Sequence, residues 1–296
     1  MVGFPERVEA RARYSLERRK HHKNIAGRVL LYAVLGFYSL YVLYPLFWVG
    51  VNSLKDNQAF FEQPWSMPVN PRWENYREAW VGGRLGRSFA NSMVVTGLSV
   101  LSIAFIAPMA GYALARLDFP LKRPLFYLFL SGMFVAPVTG LIPLVKLMRS
   151  LGLVDTCWTL ILPNIAYGLP LSIFMMRSFF VGIPRSIDDA ATVDGLSRWR
   201  MYWLIALPMS VPTINTVAIL QTVYIWNEFL FSLVLVRSPE RFTMPRALMT
   251  FKGTFITAFG PLNAAVILSA VPTIIVYFVF ADRIRRGMSM GFSAKG

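Results

Sequence analysis

Six long apolar blocks run through this chain of 296 residues, and they constrain its fold more than any other feature. The blocks lie at about 29–51, 88–114, 124–145, 158–181, 204–236 and 263–282. A helix needs about 20 apolar residues to cross a bilayer, and only helices and closed barrels satisfy all their backbone hydrogen bonds inside lipid. The sequence therefore predicts an all-α membrane protein with six transmembrane helices.

The composition supports a membrane protein, because 55% of the residues are hydrophobic and only 15% are charged. A soluble globular chain carries about 25% charged residues. The first block is too long for the apolar core of a signal peptide, so it is predicted to be a retained span. We expect a multi-pass protein of the inner (plasma) membrane, in contact with lipid.

The distribution of positive charge predicts the orientation. The tails and loops on one side of the predicted spans are 1–28, 115–124, 182–203 and 283–296. The loops on the other side are 52–87, 146–157 and 237–262. The first side holds 18 of the 30 Lys and Arg residues and the second holds 11. Because the richer side is normally cytoplasmic, both tails are predicted to flank the transmembrane domain 29–282 from inside the cell.

The same charge pattern argues against a nucleic-acid partner, despite the net charge of +15. Nucleic-acid binders gather Lys and Arg on a soluble domain, whereas here these residues sit in tails and short loops. Cys157 is the only cysteine and the two histidines, His21 and His22, are neighbours, so no intrachain disulfide, cysteine-based metal site or separated catalytic triad is expected. No GxxxxGK[ST] phosphate loop is present either. Energy must reach the protein from another chain or from an ion gradient.

The loop 182–203 is predicted to form a short helix, a glycine turn and a second helix. Ser186 and Asp189 have the spacing of a capping box at a helix start, and Gly195 is placed to end that helix in a left-handed conformation. Residues 197–203 form the second helix. The acidic and alanine residues of the first helix are Asp188, Asp189, Ala190, Ala191 and Asp194.

The first outer loop is predicted to hold another short helix, over 72–80, with Asn70 as its N-cap. Its aromatic residues suit a belt at the membrane–water boundary. An interfacial helix and a docking site for an outside partner both remain open for this segment.

The 182–203 loop resembles the cytoplasmic EAA loop of bacterial ABC importer permeases, E-A-A-x3-G-x9-I-x-L-P. The matching residues are Asp189-Ala190-Ala191, Gly195, Ile205 and Leu207-Pro208. Two positions depart from the pattern: aspartate replaces glutamate at 189, and Leu196 stands where alanine often follows the glycine. Further stretches that resemble the smaller, six-span permease of the maltose-transporter type are Tyr44 to Trp48, Asn52 to Lys55, Gly111 to Arg116 and Trp226 to Phe231.

This resemblance implies a division of labour. The short helix that contains Asp188, Asp189, Ala190, Ala191, Asp194 and Gly195 would be a coupling helix that docks on an ATPase subunit. The expected partners are a second permease, two ATP-binding subunits that hold ATP and Mg²⁺, and an external solute-binding protein. This chain would hold no cofactor and would not be an enzyme. Residues Ser293, Lys295 and Gly296 of the C-terminal tail would also contact the ATPases, and the solute would be a carbohydrate, polyol or glycerol phosphate.

Polar residues in the fifth block are candidates for the solute pathway. Gln221, Tyr224 and Glu228 have helical spacing that puts them on one face, and Asn227 lies beside them. An ionisable residue inside a span is expensive and is by default functional. Hydration of Glu228 at the outer interface and a hydrogen bond from it to the partner permease remain alternatives.

Two functions of other classes compete with the importer. The aspartates of the 182–203 loop suggest a Mg²⁺-dependent prenyl- or phosphatidyl-transferase, but such sites need more convergent carboxylates than one cluster provides. A secondary transporter is the other alternative. Such folds commonly show two matching halves, and residues 29–145 and 158–282 show no convincing repeat.

Overall fold

A computed structural model describes the backbone of residues 4–251 and 258–292, and the side chains of residues 27–251 and 258–279. Every regular element in these residues is helical, which confirms the predicted all-α class. The tail residues Ser293, Lys295 and Gly296 lie outside the described residues.

The α-helices differ greatly in length. In chain order they are α1 (Phe4–Asn52), α2 (Asn57–Glu62), α3 (Glu74–Arg77), α4 (Leu85–Arg116), α5 (Lys122–Gly132), α6 (Leu141–Ser150), α7 (Trp158–Gly182), α8 (Arg185–Val193), α9 (Arg198–Met201), α10 (Leu207–Trp226), α11 (Leu230–Leu235), α12 (Met244–Ala247) and α13 (Phe259–Phe292). Short π-helical turns cover Glu78–Gly82 and Tyr202–Ala206, and short 3₁₀ turns cover Pro239–Arg241 and Leu248–Phe251.

Five helical segments of the described residues are long and apolar enough to cross a membrane. They are Gly27–Asn52, Leu85–Arg116, Trp158–Gly182, Arg198–Trp226 and Phe259–Val279. These segments match five of the six predicted blocks. The first helix also continues through the basic N-terminal tail as far as Phe4.

The third predicted block, 124–145, is not one continuous helix. It is split into α5 and α6 by the non-helical residues 133–140. Pro137 lies in this break. Proline lacks an N–H and disfavours helix in the residue before it, so Pro137 favours a break at this point. The count of six spans therefore remains a prediction.

The two ends of α4 identify two faces of the molecule. With 32 residues, α4 is about 48 Å long. At its first end Arg84 bonds Glu240 at 2.8 Å, and at its last end Arg116 bonds Asp188 at 3.0 Å. The loop that leads into α5 directly follows the Arg116 end of α4. The loop after α6 contains Asp155, which accepts hydrogen bonds from the backbone N–H groups of residues 237 and 238, close in sequence to Glu240. Together α5 and α6 therefore carry the chain from one face to the other, as a broken span does.

Helices α4 and α7 pack closely along their length. A Cβ atom at Gly111 would lie 2.7 Å from the Met176 Cβ, and one at Gly168 would lie 2.6 Å from the Ile103 Cδ1. Small residues allow this approach, as is common where helices associate in membranes. The side chains of Ile103 and Met176 are fully buried at this contact. The α4–α7 pair is thus the centre of the packed core.

The fifth block also differs from a single straight helix. The chain winds from Arg198 to Trp226 with a π-helical turn at Tyr202–Ala206, just before Pro208. Prolines commonly accompany such irregular helix geometry, and Pro208 and Pro212 both follow this turn within six residues. The helix then ends at Trp226, and α11 begins only at Leu230.

The first outer loop folds back on the end of α1. Asn75 is buried and its side-chain Nδ2 donates to the carbonyls of Ser53 and Lys55, each at 2.8 Å. The predicted Asn70 cap is wrong, because the helix starts only at Glu74 with Trp73 at its N-cap position. The backbone N–H of Arg72 instead donates to the Leu54 carbonyl, so the preceding residues are held against the end of α1.

Asp155 joins two loops on this same face. It lies between α6 and α7 with φ of 60°, a conformation that aspartate tolerates. Its Oδ1 accepts hydrogen bonds from the backbone N–H groups of Arg237 and Ser238 at 3.1 Å, and the Ser238 hydroxyl donates to its Oδ2. The Ser238 hydroxyl bond holds the pKa of Asp155 below its usual range, with help from the backbone donors, although desolvation opposes the shift. The ionised carboxylate therefore stabilises this loop pair.

We expect Gly111→Ala to destabilise the protein, because the new methyl group meets the backbone and Cβ of α7. Overpacking of this kind costs about 1–3 kcal/mol. Gly97→Ala is the matched control on the same helix, since nothing lies within 4 Å of its added Cβ. Melting temperatures of the detergent-purified variants measure the difference, and equal values would contradict the close packing of α4 on α7.

Asp155→Asn should lower the melting temperature at pH 7, because the amide cannot accept all the bonds of the carboxylate. The depressed pKa means that the ionised carboxylate contributes stability above its unfolded pKa of about 3.9. That contribution is lost as the pH falls through the lower folded pKa. The gap between wild type and Asp155→Asn should therefore narrow on acidification from pH 7. A gap that stays constant would show that the charge of Asp155 does not matter.

Candidate coupling site and solute pathway

Helix α8 begins two residues earlier than the capping box predicts. The N-cap position is Pro184, so Ser186 lies inside the helix and its side chain makes no capping hydrogen bond. The predicted capping box is therefore wrong. Proline suits this boundary because its fixed φ favours the extended conformation that Pro184 adopts, at φ −57° and ψ 138°.

The end of α8 agrees with the prediction. Gly195 has φ of +75°, and two hydrogen bonds of a Schellman motif close the helix. The N–H of Leu196 donates to the Ala191 carbonyl and the N–H of Gly195 donates to the Thr192 carbonyl, each at 3.0 Å. A side chain at Gly195 would meet no atom within 4 Å, so backbone conformation alone demands glycine here.

Helix α8 has one buried face and one open face. Ala191 is only 3% exposed and Asp188 is half-buried, so these residues face the protein. Asp189, Ala190 and Val193 lie on the open face, where Val193 is 88% exposed. The structure therefore separates the predicted coupling residues into two groups.

Asp188 points inward to the end of α4. Its Oδ2 lies 3.0 Å from Nη1 of Arg116, whose side chain is only 8% exposed. Arg116 also donates from Nη2 to the Ile183 carbonyl at 2.6 Å, where α7 ends. Nη1 of Arg198, at the start of α9, donates to the backbone carbonyl of Arg116 at 3.4 Å. These bonds bring α4, α7, α8 and α9 together at one corner.

The second helix of the loop also forms as predicted, but it continues into α10. The Ser197 hydroxyl oxygen accepts a hydrogen bond from the backbone N–H of Arg200, which caps the start of α9. Tyr202, in the following π-helical turn, packs against Tyr112 of α4 with ring centroids 5.2 Å apart. The loop is thus anchored to the core at both of its ends.

Two residues that the sequence reasoning missed belong to this site. Arg116 lies two residues beyond the second predicted block, at the end of α4, and its string Gly111 to Arg116 matches the family pattern, but no spacing rule connects it to Asp188. Val193 is an apolar residue within an acidic helix, and its full exposure depends on the orientation of α8. An apolar residue in an acidic helix was the available signal in the sequence. The side of α8 on which Val193 lies could not be assigned, because it depends on the burial of Ala191 against the rest of the protein.

The four predicted pathway residues do not share one helical face. Helix α10 ends at Trp226, so Asn227 is its C-cap and Glu228 lies beyond it. The shared face predicted from their spacing is therefore wrong for Glu228. Asn227 is exposed and its side chain bonds the Val223 carbonyl of its own helix at 2.8 Å.

Gln221 is buried between α10 and α7. Its Nε2 donates to the Gly168 carbonyl at 3.2 Å and to the Ser172 hydroxyl oxygen at 3.1 Å. Such bonds between helices stabilise membrane bundles. This position favours a packing role for Gln221, and its role in the pathway stays a prediction.

Tyr224 and Glu228 lie together at the break between α10 and α11. Tyr224 is 48% exposed and lies in the last turn of α10, four residues before Glu228. Glu228 Oε1 accepts a hydrogen bond from the Phe231 N–H at 2.7 Å, which caps the start of α11. Irregular backbone at membrane depth is tolerated where it is buried in protein or lines a water-filled cavity.

Sequence comparisons place these features among transport proteins. The chain is similar to the family of binding-protein-dependent transport system inner membrane components, whose profile matches residues 107–290. It is 36% identical to the probable ABC transporter permease protein YurM of Bacillus subtilis, over 91% of this chain and 89% of that protein. It is 31% identical to the diacetylchitobiose uptake system permease protein NgcG of Streptomyces coelicolor, over 88% and 87% of the two chains.

A solved structure shares the fold. One chain of a bacterial ABC transporter involved in the import of the acidic polysaccharide alginate superposes with a TM-score of 0.74 and 24% identity. The alignment covers 86% of this chain and 95% of that chain. The arrangement of helices is therefore that of an ABC transporter membrane subunit along most of its length.

We expect Gln221→Leu to lower the melting temperature, because the donors to Gly168 and Ser172 are lost from a buried contact. Hydrogen bonds between membrane helices contribute about 0.6 kcal/mol on average and about 1.7 at most. Asn227→Leu is the control, since Asn227 is exposed and its side chain bonds only its own helix. If both variants melt at the wild-type temperature, the packing role of Gln221 is wrong.

Proposed function

The chain belongs to the family of binding-protein-dependent transport system inner membrane components, and we propose that it is one of two permease subunits of an ATP-driven importer of carbohydrate-like solutes. Membership of this family gives the general function, which is that of an ABC transporter permease in the inner membrane. The open face of α8 is the observation that carries the mechanism.

The open face of α8 has the properties of a docking surface. It combines a small side chain at Ala190, a carboxylate at Asp189 and an exposed apolar side chain at Val193. The small residue lets another backbone approach closely, the carboxylate accepts charge-assisted hydrogen bonds, and the apolar residue gains stability when it leaves water. An ATPase subunit that seats this face would bury all three groups.

The rest of the loop supports transmission of force from that surface. Both ends of α8 connect to the core through short turns. At the second end, the left-handed Gly195 and its hydrogen-bonded turn stop the helix within two residues. Closure of two ATPases on ATP would displace α8 and bias the permease pair between inward-open and outward-open arrangements. Such a pair is a bistable element whose balance depends on the ligand state of a partner.

ATP and Mg²⁺ are bound by the partner ATPases in this proposal, and this chain contributes no nucleotide site. A second, different permease completes the membrane unit. The first span supports such a partner, because none of its apolar window is buried inside the chain. That surface is open to lipid and to another membrane subunit. An external solute-binding protein delivers the solute to the opposite face.

The solute class rests on the relatives and on the break after α10. A permease for diacetylchitobiose is among the relatives, and a carbohydrate needs hydroxyl-matching groups beside aromatic rings. Tyr224, Asn227 and Glu228 offer such groups at the break. The transport relatives favour the importer over the Mg²⁺-dependent transferase and the secondary transporter.

We expect a cysteine at Val193, in a Cys157→Ser background, to crosslink to the ATPase subunit of the purified complex. Val193 is the exposed apolar residue of the proposed docking face, and Cys157 is the only native cysteine of this chain. Ser150→Cys is the control, because Ser150 is exposed at the end of α6 on the opposite face. A maleimide–benzophenone reagent attaches to the introduced cysteine thiol and, on illumination, inserts into a C–H bond of whichever subunit lies beside it, and gel analysis measures the products.

Crosslinking of the ATPase by the Val193 cysteine and not by the Ser150 cysteine supports docking through α8. The proposal fails if the Val193 cysteine stays unlinked while the complex remains intact, or if only the Ser150 cysteine reaches the ATPase.

A further inference from the structure

The corner around Arg116 is the most strongly buried charged contact on the face that carries α8, within the side chains that the structure describes. Arg116 is 8% exposed and Asp188 is 28% exposed at their side chains. The other ion pair in the neighbouring loop, Lys122 with Asp118, has a longer separation of 3.3 Å and an aspartate that is 91% exposed. A buried guanidinium must be paired and hydrogen-bonded to remain in place, so the geometry of this corner is tightly defined.

Each bond of Arg116 goes to a different structural element. The bond to Asp188 holds the first turn of α8, and the bond to the Ile183 carbonyl holds the last turn of α7. Carbonyls at the end of a helix have no partner within the helix, and a cation is favourable beside them. The planar guanidinium reaches both acceptors at once, which the single ammonium of a lysine cannot do with the same geometry.

The floor of the corner is rigid as well. Tyr112, one helical turn before Arg116, is 6% exposed and packs edge-on against Phe180 of α7, with ring centroids 5.5 Å apart. It also packs against Tyr202 in the turn before α10. Ala191, the other inward residue of α8, is 3% exposed. The polar bonds of Arg116 therefore attach α8 to a corner that aromatic contacts between α4, α7 and the turn before α10 make rigid.

We propose that Arg116 is a positioning residue that makes α8 move as one body with the inner ends of α4 and α7. Asp188 then serves as an internal anchor of α8, and the contacts with the ATPase fall to Asp189, Ala190 and Val193 on the open face. The inference rests on the proposed function, because an ATPase must displace α8 before its attachment to α4 matters.

Spin labels on cysteines that replace Arg185 and Asp118, in the Cys157→Ser background, test the attachment in the assembled complex with its ATPase. Both positions are exposed, and they report the separation of α8 from the end of α4. The wild-type corner should give the same narrow distance distribution without nucleotide and with ATP trapped by vanadate. In Arg116→Gln the distribution should broaden and shift by about 1–2 Å or more on trapping, the size of helix shifts at moving contacts.

Three further variants make the result specific. Asp188→Asn should give the same broadening while it leaves the bond from Arg116 to Ile183 in place, and it replaces Arg116→Gln if that variant does not assemble. Exchange of the two charges, Arg116→Asp with Asp188→Arg, should recover part of the narrow distribution. Arg200→Gln removes an exposed arginine from the same loop and should change nothing.

The spin-label distances test the positioning role of Arg116, and the Val193 crosslink tests the proposed docking, so the two can fail separately. Unchanged distributions in Arg116→Gln and Asp188→Asn, or an equal change in Arg200→Gln, overturn the positioning role while crosslinking at Val193 still supports docking. Absence of a crosslink from the Val193 cysteine while Arg116 and Asp188 are unchanged overturns the proposed docking itself. ATP hydrolysis should persist in every variant, because the corner lies in the membrane subunit and not in the nucleotide site.

Discussion

The buried guanidinium of Arg116 is the contact on which the mechanical account depends. A short surface helix such as α8 is marginal by itself, because isolated helices of this length are unstable in water. Its stability and direction come from tertiary contacts: Asp188 on Arg116, Ala191 against the core, and the closed turn at Gly195. These contacts leave the other face of α8 free. The same packing that stabilises the helix thus presents its docking surface.

The membrane environment explains why the remaining structure supports this corner. Helices α4 and α7 approach each other through Gly111 and Gly168, and their close contact extends to the corner itself. Lipid gives no hydrophobic driving force between helices, so tight packing and interhelical hydrogen bonds such as those of Gln221 supply the cohesion. In the proposed mechanism, displacement of α8 is therefore passed to a compact pair of helices.

The breaks in the bundle have a different character from its packed centre. The chain interrupts its helices at 133–140 and again after Trp226, where Glu228 caps α11. Unpaired backbone groups are costly in lipid, so such breaks belong beside protein or water. In the proposed mechanism the packed α4–α7 pair transmits movement, and the irregular backbone beside it supplies polar groups for a solute.

The sequence predicted the features that depend on local chemistry. Apolar length located five spans, and the left-handed position of Gly195 between the two helices of the loop followed from its place after the alanine-containing segment. It failed where tertiary contacts decide the outcome. Ser186 has the spacing of a cap but lies inside α8, because Pro184 sets the boundary. The i, i+3, i+7 pattern of Gln221, Tyr224 and Glu228 assumed one continuous helix, but the helix ends at Trp226, before Glu228. The partner of Asp188 lies 72 positions away in the chain, and no local pattern connects the two residues.

Structures of the assembled transporter by electron cryomicroscopy, without nucleotide and with ATP trapped, test the central claim most directly. The account predicts that the open face of α8 lies against an ATPase in both states. It also predicts that α8 and the inner ends of α4 and α7 superpose as one body while the arrangement of the two permeases changes. A helix α8 that faces solvent, or that moves away from α4 between the two states, would contradict it.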